Sequence, residues 1–114
     1  MAKVVTLRRQ RDFDELFAQG QRYRDELVMT VVRLRPDTGP ARASFLVGKK
    51  VDRRAVGRNR IRRRLREAWR LELANIKTGV DTAFVAHPAA AAASYQELAA
   101  VIRRHLRQAG VLEG

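Results

Sequence analysis

Residues 49–70 read KKVDRRAVGRNRIRRRLREAWR. Within this stretch Ile61, Leu65, Ala68 and Trp69, followed by Ile76, recur at helical spacing, which predicts an amphipathic helix whose apolar stripe docks on a sheet. Asp52 is the candidate cap at its start. Arginines occupy the rest of the cylinder: Arg62, Arg66 and Arg70 form an i, i+4, i+8 row, and Arg60, Arg63 and Arg64 lie further round. Six guanidinium groups are thus expected to face outward. Like charges at that spacing repel and cost helix stability, whereas a nucleic-acid backbone would neutralise them and release counterions. A merely solvated face would interleave glutamates, and the helix offers only Glu67.

The elements on either side of this helix define the fold. Asp12 and Glu15 read as a capping-box variant opening a first helix, with Phe13, Leu16 and Phe17 on one face and Gly20 as its stop. Residues 23–34 have strand composition, and Pro36, Asp37, Thr38, Gly39 and Pro40 form a turn before residues 41–47 resume the pattern, which predicts a hairpin. After Gly79, residues 80–86 read as a short apolar strand ended by His87 and Pro88, and the alanines of 89–93 as a connector. Ser94 and Glu97 form a capping box for a last helix, with Leu98, Val101, Ile102, Leu106 and Ala109 as its buried stripe and Gly110 as its stop. The expected class is α+β: an α-β-β-α-β-α sandwich with a mixed sheet, in which the arginine-rich helix joins a parallel strand pair. The whole of residues 1–114 is expected to be one domain.

Composition narrows the function. The chain carries 24 Lys and Arg against 12 Asp and Glu, a formal charge of +12, and residues 49–70 hold +9 of it. That concentration points to a polyanionic partner. Zero cysteines exclude a disulfide scaffold, a cysteine nucleophile and thiolate zinc sites. No apolar run approaches the roughly 20 residues of a membrane span, and the first ten residues lack the apolar stretch of a signal peptide, so a cytoplasmic location is expected. His87 and His105 have no partner at metal spacing and read as structural or surface residues. Trp69, on the apolar stripe, reads as core.

The paired lysines Lys49 and Lys50, the triplet Arg58, Asn59 and Arg60, and the continuation Ile61, Arg62, Arg63 and Arg66 resemble the signature of the bacterial ribonuclease P protein family. Phe13, Phe17 and Gly20 are similar to the family's first helix, and residues 81–86 to its late strand. The resemblance implies an RNA-binding subunit of a tRNA-processing ribonucleoprotein, in which the RNA subunit carries the active site and mainly holds the magnesium, and the protein binds that RNA and the 5′ leader of precursor tRNA. It implies no catalytic residue and no metal ligand in the protein, no membrane and no obligate protein partner. Lys50, Arg53, Arg54, Arg58, Asn59, Arg60, Arg62, Arg63 and Arg66 would contact the RNA subunit, and Phe13, Phe17 and Lys49 the leader. Met29 and Val31 stand on the strand where the family often carries an aromatic side chain. A non-enzymatic or ribosomal RNA-binding protein would share the composition. A DNA reader would mix Asn and Gln with its arginines, and here only Asn59 does so. A basic membrane-surface helix would leave nothing to attach the helix to the domain.

Overall fold

The computed structural model describes residues 3–113. In chain order the elements are β1 (Val5–Thr6), α1 (Gln10–Gln19), β2 (Gln21–Arg24), β3 (Val28–Leu34), β4 (Arg42–Leu46), α2 (Ala55–Glu72), β5 (Val80–Ala86) and α3 (Tyr95–Gln108), with 3₁₀ turns at Leu73–Asn75 and Pro88–Ala92. The strands form one mixed sheet in the order β1-β4-β5-β3-β2. The mixed α+β class and the parallel β4–α2–β5 unit agree with expectation.

The strand pairing does not follow the expected hairpin. β3 and β4 are joined by the Pro-Asp-Thr-Gly-Pro turn, yet β5 lies between them, antiparallel to β3 and parallel to β4. Six of the seven β5 residues are buried, so this strand needs cover on both faces and takes the centre of the sheet. The true hairpin is β2–β3, cut from what reads as one continuous strand by Asp25, whose Oδ1 accepts the N–H groups of Leu27 and Val28. β1 is two residues long and too short to show a pattern.

Strand alternation divides the core. Val28, Val32, Ala43, Phe45, Val80, Phe84 and Ala86 face α2 and α3, where Ile61, Leu65, Ala68, Trp69, Leu98, Ile102 and Leu106 meet them. Trp69 is fully buried edge-on against Phe84, whose ring stacks on Phe45, so its reading as core holds. The opposite face is covered by α1 and the segment leading into it, through a second cluster of Leu7, Leu16, Val31 and Ala83. Three layers result.

Helix boundaries are partly local. Ser94 Oγ accepts from Glu97 N–H and Glu97 from Ser94 N–H, the expected capping box, and Gly110 turns the chain away with φ +73°. The other two predicted caps are displaced. α1 starts at Gln10 with Arg9 as N-cap, because Asp12 and Glu15 turn to Arg42 and Arg33 on the sheet. α2 starts at Ala55 with Arg54 as N-cap, and Asp52 accepts from Arg54 N–H in the preceding turn, its carboxylate lying over the bare Cα of Gly57. Ile76 is buried but lies beyond α2, bridged to Leu112. The alanine connector is a 3₁₀ turn that buries Ala90. Gly20 ends α1 in an extended conformation, and a side chain is excluded there because a Cβ would sit 2.5 Å from Leu16 O and 2.7 Å from Val31 Cγ1.

Candidate nucleic-acid interface

α2 presents its basic residues in two chemically different groups. Arg53, Arg60, Arg63 and Arg66 are exposed, and their side chains make no hydrogen bond or ion pair among the described residues. The others serve the fold: Arg54 pairs with Asp52, and Arg58 donates to the carbonyls of Asp52 and Arg53. Arg62 donates to Phe45 O at 3.3 Å and to Asn59 Oδ1 at 2.6 Å, and Arg64 to Ala93 O at 3.0 Å. Arg70 pairs with Glu67, holding that carboxyl below its ordinary range. The expected six outward guanidinium groups therefore reduce to three on the helix, Arg60, Arg63 and Arg66, with Arg53 just ahead of it. Backbone carbonyls and a lone glutamate have drawn the rest inward.

Lys49 and Lys50 are both exposed in the turn between β4 and α2, where they line a surface recess with Val51, Asp52 and Arg53. The packing of Asp52 over Gly57 ties that turn to the first turn of α2. The lysine pair and the Arg58–Asn59–Arg60 triplet are thus held as one continuous positive surface.

Phe13 and Phe17 are half-buried against the second cluster, together with Met29. Lateral register places Arg42, Asp81 and Arg33 in one row across β4, β5 and β3, then Ser44, Ala83 and Val31, then Leu46, Val85 and Met29. α1 lies over the first two rows, through Asp12 and Glu15 on the first and Leu16 on the second. The third row, with Leu46, Val85 and Met29 each half-buried, is a shallow apolar strip left beside the two phenylalanines. Arg24 continues it on β2, and Lys49 follows Leu46 by three residues at the same end of the sheet. Arg22 lies 6.0 Å from the Phe17 ring and donates to Phe17 O. This strip was not singled out from the sequence, although the period-two alternation of β3, β4 and β5 carries the signal.

Asp81 anchors the covered end of this face. It is fully buried and accepts from Arg35 at 2.6 Å and from Arg42 at 2.8 and 2.7 Å, while Arg42 reaches on to Asp12. Asp37 also binds Arg35, and that contact together with the Gly39 N–H holds its carboxyl at about 2. Among the described residues no helix is long and apolar enough to cross a membrane.

The family model described as Ribonuclease P matches residues 1–110. The ribonuclease P protein component of Pseudanabaena sp. is 35% identical over 108 residues, covering 95% of this chain and 93% of that protein. The corresponding component of Xanthomonas oryzae is 38% identical over 110 residues, covering 96% and 74%. Among solved structures, the RNase P protein of Staphylococcus aureus superposes with a TM-score of 0.86 at 21% identity, covering 97% of this chain and all of that one. The RNase P protein of Thermotoga maritima gives 0.79 at 22% identity, covering 96% and 98%.

Proposed function

The chain belongs to the ribonuclease P protein family and acts as the protein subunit of the endoribonuclease that processes tRNA 5′ ends, and from that premise we propose how its surface divides the work. The exposed face of α2 with its preceding turn, comprising Lys50, Arg53, Arg54, Arg58, Asn59, Arg60, Arg62, Arg63 and Arg66, holds the RNA subunit. The apolar strip beside Phe13 and Phe17, closed at one end by Lys49, receives the single-stranded 5′ leader of precursor tRNA. The carrying observation is that Arg53, Arg60, Arg63 and Arg66 have no partner among the described residues, whereas every other arginine of residues 49–70 is engaged within the fold. Unneutralised, clustered guanidinium groups fit phosphates, to which each can present two parallel donors.

Within this division of labour the protein positions and the RNA reacts. Arg54, Arg58 and Arg62 contribute mainly by stiffening the platform, since their donors are partly spent on Asp52, Arg53, Phe45 and Asn59. Bases of the leader lie on the rings of Phe13 and Phe17 and on the aliphatic floor of Leu46, Val85 and Met29, and backbone phosphates meet Arg24 and Lys49. The carboxylates near these faces do not fit a magnesium site: Asp81 and Asp12 are committed to Arg35 and Arg42, Asp52 to Arg54 and Glu67 to Arg70. On this reading the reaction's magnesium is held mainly by the RNA subunit. The same reading expects a cytoplasmic location, with no membrane and no obligate protein partner.

Reconstitution tests this reading. Adding the protein to its ribonuclease P RNA at low magnesium should raise the cleavage rate of a precursor tRNA and leave the cut site unchanged. A protein that binds the RNA without any gain in cleavage would instead fit a non-enzymatic RNA-binding role.

A further inference from the structure

β4 is covered on its outer side for only part of its length. β1 pairs with Arg42 and Ala43, and Leu7 N–H reaches Ala43 O, after which Ser44, Phe45 and Leu46 have no neighbouring strand there. Residues two apart on a strand present their backbone groups to the same side, so the Phe45 N–H and C=O both point into this gap. α2 runs past it and contributes Val56, Asn59, Arg62, Arg63 and Arg66, whose spacing puts them on one stripe. Together with Thr6 and Phe45 they enclose a slot of about 620 Å³, within the roughly 300–1,000 Å³ usual for small-ligand sites. Through Thr6 and Arg66 it adjoins a second recess lined by Lys3, Arg8, Arg9 and Arg42.

The slot combines two features that neither a solvated helix face nor a plain phosphate track requires. One is Val56, a branched apolar side chain 56% exposed at the start of the most basic helix of the molecule. The other is a polar lip beside apolar residues: the Phe45 N–H and the Asn59 amide lie beside the Val56 side chain and the edge of the core at Phe45, with Arg63 and Arg66 flanking. An apolar, flat-sided space with a few convergent hydrogen-bonding groups suits a nucleobase, and cations at its rim suit the phosphates on either side of it. We propose that this slot takes one unpaired nucleotide of the partner RNA, its base inserted against Val56 and Phe45 and its flanking phosphates on Arg63 and Arg66. This rests on the assignment of α2 to the RNA subunit and makes part of that contact base insertion in addition to electrostatic tracking. An added peptide strand is a poorer occupant, because only three residues of the edge are open and Arg62 already occupies the Phe45 carbonyl.

The test uses the assembled ribonucleoprotein. Because the chain has no cysteine, Val56→Cys gives a single attachment point for a benzophenone photocrosslinker. Crosslinks should fall on one or two adjacent unpaired nucleotides of the ribonuclease P RNA. Separately, Val56→Ser, which leaves the charge unaltered, should weaken binding by about five- to fifteenfold with the salt dependence unchanged, as expected for lost apolar contact. Arg63→Ala should reduce the salt slope by about one. Crosslinks scattered along duplex backbone, a crosslink to another protein chain, or wild-type affinity in Val56→Ser would overturn the proposal. If Arg63→Ala still lowers the slope in that case, the RNA-binding role of α2 stands and only the slot is lost.

Discussion

Two buried residues carry single-site consequences. Asp81, fully buried beneath Arg35 and Arg42, ties β5 to β4 and through Arg42 to Asp12 on α1. Asp81→Asn would leave Arg35, itself only 7% exposed, with the exposed Asp37 as its remaining counter-charge, and Arg42 with Asp12, and the expected loss is up to about 3–5 kcal/mol of unfolding free energy in urea. A loss below about 1 kcal/mol, the range of surface pairs, would show that water already screens the network. His105 is the second. Its Nδ1 lies 2.7 Å from Thr30 Oγ1, its Nε2 3.9 Å from Asp25, and its ring 6.4 Å from Tyr23. Burial pushes its pKa below the ordinary 6.5; Asp25 opposes the shift and Arg104 adds to it. The unfolded chain therefore takes up the proton first as pH falls, so this contribution to stability is complete above about pH 6.5 and is lost below it. Melting temperature should fall more steeply from pH 7.5 to 5.5 in the wild type than in His105→Gln, and equal slopes would contradict the assignment. In sequence His105 reads as either structural or surface, and the choice between them was not legible because the Thr30 that fixes its ring lies 75 residues away.

At the scale of elements, α1 and α2 fail in separable ways. Arg60 and Arg63 point off the buried stripe, so replacing both with Ala should leave the melting temperature within a degree or two while weakening assembly with the RNA subunit at least tenfold. Equal affinity with and without them would move the RNA contact off this face. In α1, Phe17→Leu keeps apolar bulk against Met29 but removes the ring beside Arg22. Assembly should be unaffected, and the preference for precursor over mature tRNA should drop by roughly 1–3 kcal/mol, the worth of one stacked base. An unchanged preference in a folded, assembled enzyme would make Phe17 a packing residue only. The helices were largely legible from sequence because i, i+3 and i+4 relations are local. Their starts were legible only where the cap was also local: Ser94 answers Glu97 three residues on, whereas Asp12 is drawn to Arg42 across the sheet.

For the whole molecule, the governing quantity is the +12 charge and its confinement. With roughly 5–8 phosphates neutralised, log K for the RNA subunit should fall against log salt with a slope of about −4 to −7. A slope near zero would be incompatible with the four unpartnered arginines. The same self-repulsion lowers the stability of the free protein, so sulfate, binding the folded basic face more tightly than the unfolded chain, should raise its melting temperature. Equal melting with and without sulfate would place the charge too far apart to hold an anion.

The sequence by itself determined the basic amphipathic helix, the capped last helix, the parallel unit around α2, the family signature and the polyanionic partner, since each is written in residues close along the chain or in composition. Only the tertiary structure decided the strand order, which arginines remain free and where the two grooves lie. A turn such as Pro36–Pro40 specifies that the chain reverses but not which strand lies beside it, and β5 displaces the expected hairpin because both its sides are buried and must both be covered. The arginines are sorted by carbonyl acceptors up to 29 residues away, Phe45 for Arg62 and Ala93 for Arg64, and so no spacing rule within the helix could separate them from Arg60, Arg63 and Arg66.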